Sequence, residues 1–188
     1  MKDVQKMRKI IVLAALIIFI GIFGASCTQK DDKSINIGAV LPLTGKFAYY
    51  GDLSQKAIQL AVENLKSEGY NINYYFKDSQ SSVQKGISSA KMLINTKNVD
   101  ALATSPSPLC LATNHILVNK DIVHIAYSAH PDVLNTKANT IRAFLSADDD
   151  IHTLAQYLNS NNNLDDLFVF VINDDYGHGL FEALKKYS

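Results

Sequence analysis

The folded part of this chain has no pair of cysteines with which to build a disulfide framework. Two cysteines occur, Cys27 and Cys110; Cys27 closes a leader-like opening, so Cys110 has no internal partner. Charge of either sign is not in excess, since 18 Lys and Arg face 18 Asp and Glu. In the first 27 residues Lys2, Lys6, Arg8 and Lys9 stand against Asp3 alone, so the rest carries a net charge of about −3. That balance offers no electrostatic case for binding nucleic acid. Gly45-Lys46 has neither the upstream glycine nor the following Ser or Thr of a phosphate loop, and no G-x-G-x-x-G occurs. Ser107, His130 and Asp174 include the residue types of a catalytic triad, but no G-x-S-x-G elbow presents a nucleophile. His115, His124 and His130 have no cysteine partners at zinc-site spacing. Neither a metal nor a cofactor is expected, and the chain does not read as an enzyme.

What is present begins with an export signal. A basic start is followed by residues 10–26, which carry no charge and end in Gly24, Ala25 and Ser26 before Cys27. This is similar to a bacterial lipoprotein leader, with Gly24 where a leucine is usual. Residues 1–27 read as the signal segment, and the resemblance implies cleavage before Cys27, lipidation of Cys27 and a chain tethered outside the cytoplasm by residues 28–34. An uncleaved membrane anchor is the rival reading, because 17 uncharged residues lie at the short limit of a membrane span.

Residues 35–65, INIGAVLPLTGKFAYYGDLSQKAIQLAVENL, organise the remainder of the chain. A nearly all-apolar strand ends at Pro42, which cannot donate to a ladder. Gly45 and Gly51 bracket a loop with Thr44, Tyr49 and Tyr50. Asp52 is expected to cap a helix whose apolar residues are Ala57, Leu60, Ala61 and Leu65. The same grammar recurs. Strands are expected over 71–77, 99–104, 122–127 and 140–145, with helices over 83–95 and 109–119. Serine caps the first of those helices, and the SPSP turn, 105–108, opens the second. His124 falls inside the fourth strand and reads as a core or edge histidine. The fold class is therefore α/β, a doubly wound, mostly parallel sheet over residues 35–145. The ends of strands one, three and four should share a rim.

Beyond it, Asp148, Asp149 and Asp150 read as a cap for a helix over 151–158. Residues 167–172, LFVFVI, read as a further strand, followed by a polar loop and a helix from Leu180. One strand and one helix cannot cover both faces of that strand. Residues 146–188 are thus expected to be the start of a second α/β lobe, cut short at Ser188. The polar candidates gather at strand ends: Thr44, Tyr49, Tyr50, Ser105, Ser107, Ser128, His130, Asp174, Asp175 and Tyr176. Ser107 at a helix start is the sharpest of them. A hydroxyl with free backbone N–H groups can hold a carboxylate without a cation.

The segments IGAVLPLTG, YYGD and LAVE, together with NDDYGHGLFEALK, resemble the branched-chain amino-acid binding family of ABC-transporter receptors, the type I periplasmic binding proteins. The resemblance spans residues 35–186. It implies two α/β lobes that close on a solute without chemistry and present it to a membrane permease. It also implies ligand-binding roles for Tyr50, Ser107, Ser128 and His130 on the first lobe and for Tyr176 on the closing side. Prolines replace the serines that flank Ser107 in the family, and His130 stands where a threonine helps hold the ammonium group. The family's acid for that group would fall beyond Ser188. A small polar solute, an amino acid above all, is the implied ligand, with no nucleic-acid partner. Two other readings fit the residues: a receptor for an amide- or urea-type solute, and the extracellular sensor of a membrane-anchored receptor.

Overall fold

The structure is a computed structural model that describes residues 34–160 and 168–187. The leader, its cleavage point and Cys27 lie outside the described residues. Five strands, β1 (Ile35–Leu41), β2 (Ile72–Asp78), β3 (Ala101–Thr104), β4 (Val123–Ala126) and β5 (Thr140–Arg142), form one sheet in the order β2-β1-β3-β4-β5. Every pairing is parallel. The intervening helices are α1 (Ala48–Ser67), α2 (Val83–Lys97) and α3 (Ser107–Leu117), and a short 3-10 turn, Pro131–Leu134, precedes β5. Two more helices complete the described chain, α4 (Ala147–Ser160) and α5 (Asp175–Tyr187).

The alternation within β1 explains why helices cover both faces. Val40 turns to one face, where Leu93 of α2, Leu109 and Leu117 of α3 and Leu102 form the main core. Ala39 and Leu41 turn to the other, against Ile58 of α1, Ala103 and Phe76. A strand buried on both sides needs apolar residues at successive positions, and Ala39-Val40-Leu41 supplies them. Gly38 permits close approach of the helical layer, since a Cβ there would lie 3.0 Å from Leu102 Cδ1 and 3.1 Å from Leu93 Cδ1. Because β2 and β3 leave β1 on opposite sides, chain order reverses between β1 and β3 and opens a crevice at the strands' C-terminal ends.

The expected sheet and its shared rim are thus observed, with differences at the boundaries. Asp52 does not cap α1. The helix starts four residues earlier, behind Phe47, and Asp52 forms an i,i+4 ion pair with Lys56 at 2.7 Å. Gly45 supplies the turn at φ +86°, which lets the chain enter the helix sooner than the acid suggested. Ser82 caps α2 as expected, accepting from the Lys85 N–H. The helix runs on to Lys97, where Asn98 at φ 46° ends it in the left-handed region. Asp148, Asp149 and Asp150 lie inside the first turn of α4. There they complement the helix dipole without serving as the cap.

The expected strand over 167–172 is not formed by its described residues. Phe168–Ile172 joins no ladder, and the Phe168 and Phe170 side chains are 86% and 97% exposed. A strand persists only where another edge takes its N–H and C=O groups, and these residues pair with no described strand. Helices α4 and α5 pack on each other and against the rim of the sheet through Ala129, Ala147, Ala183, Ile151 and Leu180. The Ala147 N–H donates to Ala129 O at 2.9 Å. Gly179 brings α5 down on the 3-10 turn, where a Cβ would lie 2.9 Å from His130 Cδ2.

Candidate functional site

A cavity of about 400 Å³ opens where the strands end. The loop after β1 contributes Pro42 and Phe47, and the first turns of α1 contribute Tyr50, Leu53 and Ser54. Ser105 to Pro108 enter from the β3–α3 junction, Tyr127 and Ala129 from the end of β4, and Phe144 from beyond β5. Ile172, Asp174 and Tyr176 close the far side. Five aromatic rings, three serines and a single formal charge, Asp174, line it. This is the crevice that the strand order creates.

The loop after β1 is held by the turn after β2. Thr44 Oγ1 donates to Asp78 Oδ2 at 2.6 Å, and the Gln80 N–H donates to Asp78 Oδ1 at 2.7 Å. Burial would raise the Asp78 pKa, but these hydrogen bonds and that from the Thr44 N–H outweigh it and hold the carboxyl below its usual range. Ser81 Oγ donates to Thr44 O and accepts from the Phe47 N–H. The start of α1, and with it Tyr50, is therefore set from β2.

The β3–α3 junction stands on a buried polar network. Asn114 Nδ2 donates to Val133 O, which orients the amide and leaves its Oδ1 to accept from Thr140 Oγ1 at 2.8 Å. The same Oδ1 lies 2.7 Å from His124 Nδ1, which must then carry the proton. His124 Nε2, 2.8 Å from Thr104 Oγ1, accepts from that hydroxyl. Burial pulls the His124 pKa down to about 4, so the ring is neutral. Cys110 donates to Thr104 O, and burial pushes its thiol up to about 12. Thr104 immediately precedes Ser105, so this network sets where the cavity's serine loop begins.

Among the residues anticipated from the sequence, Tyr50, Ser107 and Tyr176 come together on the cavity wall. Ser128 and His130 do not line it. Buried Ser128 accepts from the His130 N–H at 3.2 Å. His130 Nδ1 accepts from the Asp132 N–H, capping the 3-10 turn, and its ring packs at Gly179. Phe47, Tyr127 and Phe144 are wall residues that sequence reasoning misses. Phe47 and Tyr127 directly border candidate loops, and their place at strand and helix ends is the signal that could have found them. Asp174 reads from the sequence as a polar loop residue. In the structure its Oδ1 caps α5, accepting from the Tyr176 and Gly177 N–H groups at 3.0 and 3.1 Å.

The start of α3 is poorer in donors than a typical helix N-terminus. Pro106 occupies the cap position and Pro108 the second helical position, so neither has an N–H. The Leu109 and Cys110 N–H groups both turn back to Pro106 O. Only the Ser107 N–H and its hydroxyl are left to face the cavity. Among the described residues the wall has no cation and no nucleophile paired with a base. It can enclose and orient a small molecule but offers no groups for bond making.

The periplasmic binding protein family model matches residues 34–188. A Leu/Ile/Val-binding protein of Rhizobium johnstonii is 24% identical over 159 residues, covering 80% of this chain and 43% of its own. The leucine binding protein LivK of Thermotoga maritima superposes with a TM-score of 0.73 at 20% identity, covering 81% of this chain and 45% of that one. A solute-binding protein of an ABC transporter from R. palustris, solved with 4-hydroxybenzoate, gives a TM-score of 0.72 at 17% identity, covering 82% and 43%. These relatives are binding proteins and not enzymes. The chain spans less than half the length of each.

Proposed function

Because the chain belongs to the periplasmic binding protein family, we propose that it is the solute-binding part of an ABC importer's receptor. It is exported, held to the membrane through a lipid on Cys27, and passes its solute to a permease without altering it. Residues 35–145 supply one wall of the cleft and residues 146–188 begin the second lobe. The observation that supports this most is the cavity at the sheet's topological switch point, walled by aromatic rings and hydroxyls and free of catalytic pairs. The solute is an amino acid with an apolar side chain. Its carboxylate meets the Ser107 N–H and hydroxyl, its ammonium group faces the Asp174 carboxylate, and its side chain lies among Phe47, Tyr50, Tyr127 and Tyr176. Ser128 and His130 act at one remove, by holding the loop that carries Ala129.

A second reading draws on the two prolines at the start of α3. A helix end with one free N–H has lost most of the donors that favour a carboxylate over a neutral amide or urea. Calorimetric titration with leucine, isoleucine, 4-hydroxybenzoate and acetamide separates the two. Leucine or isoleucine binding that weakens at least about tenfold in Tyr50→Ala supports the amino-acid receptor. Binding of acetamide alone favours the second reading, and no binding by any of the four removes both.

A further inference from the structure

Beside the main cavity lies a second one of about 200 Å³, whose wall includes Lys46, Ser79, Ser82, Val83 and Asp174. Phe47, Pro106, Pro108 and Asp174 belong to both walls, so the two spaces adjoin. We propose that this second cavity is an oxyanion subsite, which takes a carboxylate or phosphate group carried by a longer solute or free in solution.

Three features converge on it. Ser79 is 1% exposed, and its hydroxyl has no hydrogen-bond partner among the described residues. A buried hydroxyl left without a partner costs roughly 1–3 kcal/mol, a cost that a bound oxygen would remove. The N-terminus of the 15-residue helix α2 abuts the same space. Its Val83 and Gln84 N–H groups have no acceptor among the described residues, while the next, on Lys85, is taken by Ser82 Oγ. Lys46, whose ammonium lies 4.5 Å from the Phe47 ring centre, has no carboxylate within ion-pair distance among the described residues. A free cation, free helix N–H groups and an unpartnered hydroxyl are the complement of an oxyanion.

Opposing them is Asp174, the one acid on the wall. Its Oδ1 is engaged in capping α5, which spreads part of its charge onto two N–H groups. The prolines that strip donors from α3 thus stand beside a richer set on α2, and anion recognition shifts from one helix start to the other. The link to a solute rests on the main cavity being a solute site; the affinity for an oxyanion does not.

The test uses the full chain with inorganic phosphate, followed by calorimetry and by phosphorus NMR line width. Phosphate is expected to bind, and Lys46→Ala to weaken it at least about tenfold. Ser79→Ala should weaken it about threefold or more while leaving the unfolding midpoint unchanged or higher, because a purely structural serine would leave phosphate binding unmoved. Asp174→Asn, which keeps a capping oxygen, should tighten it several-fold. A second arm compares L-glutamate with L-glutamine, which differ only in the side-chain charge. A preference of about tenfold for glutamate that disappears in Lys46→Ala places the oxyanion on the solute. Equal affinities, with phosphate still sensitive to Lys46→Ala, make it a free-anion site. If phosphate binds and neither amino acid nor leucine does, the solute-receptor reading fails and the subsite stands. No phosphate binding, or binding that is the same in Lys46→Ala and Ser79→Ala as in wild type, overturns the subsite.

Discussion

The Nε2 atom of His124 and the hydroxyl of Thr104 lie 2.8 Å apart in the sheet interior, and this contact ties β4 to the residue that launches the serine loop of the cavity wall. With Nδ1 committed to Asn114, the ring has no position for a second proton unless the Thr104 hydroxyl turns to Cys110 Sγ, 3.3 Å away.

Acid should therefore destabilise the fold through His124. Its folded pKa, about 4, lies below the ordinary 6.5, so the unfolded chain binds the proton first. Stability is full above pH 6.5 and falls as pH drops towards 4, by about 3 kcal/mol over that window. Urea unfolding at stepped pH measures the slope. His124→Leu should lower stability at pH 7.5 by about 1–2 kcal/mol, since Asn114 keeps Thr140 and Thr104 can turn to the thiol. The variant's slope between pH 6.5 and 4 should be smaller by the same 3 kcal/mol.

Cys110 should be inert in the native state. It is fully buried and its thiol is pushed up to about 12, so thiolate is scarce at neutral pH. Peptide mapping after iodoacetamide should find Cys110 unmodified in buffer and modified in urea. Modification in buffer at the denatured-state rate would mean that α3 opens readily.

Gly51→Ala sets helix propensity against space. Alanine gains about 1 kcal/mol in a helix interior. At this position, however, its Cβ would stand 2.2 Å from Pro42 O, a backbone atom that no rotamer change can move. The clash wins, with a net loss of about 2 kcal/mol expected by thermal unfolding. Because Tyr50 is the adjacent residue, solute affinity should fall as well.

Restoring a donor at the start of α3 should strengthen carboxylate binding. Pro108→Ala returns an N–H at the second helical position, where none now exists. One added hydrogen bond to a charged acceptor is worth roughly 1–2 kcal/mol. A tightening of about tenfold or somewhat more for a carboxylate solute is expected in calorimetry, with little change for acetamide. Ser107→Ala should weaken the carboxylate solute by about tenfold.

Much of the architecture was legible because burial on two faces leaves a one-dimensional trace. Ala39-Val40-Leu41 must be continuous, Pro42 must end the strand, and Ser82 must precede its helix. That Tyr50, Ser107 and Tyr176 would share one cavity wall was legible because strand ends on one side of a parallel sheet meet. His130 was not legible. Its sequence neighbours place it in the rim loop, but only the packing of α5 through Gly179 turns its ring away from the cavity. The strand expected over 167–172 failed for a related reason. Its composition suits a buried strand, and composition does not supply the partner edge a ladder needs.

The amino-acid sequence by itself determined the order of the βα units and the parallel sheet, because these depend on local periodicity and residue type. Tertiary structure alone decided which loop residues face the cavity. It made Phe47 and Tyr127 walls, gave Ser128 and His130 to the backbone, and set Lys46 beside the unpartnered Ser79 hydroxyl. Lys46 and Ser79 are 33 positions apart, and only the pairing of β1 with β2 brings their loops to one rim.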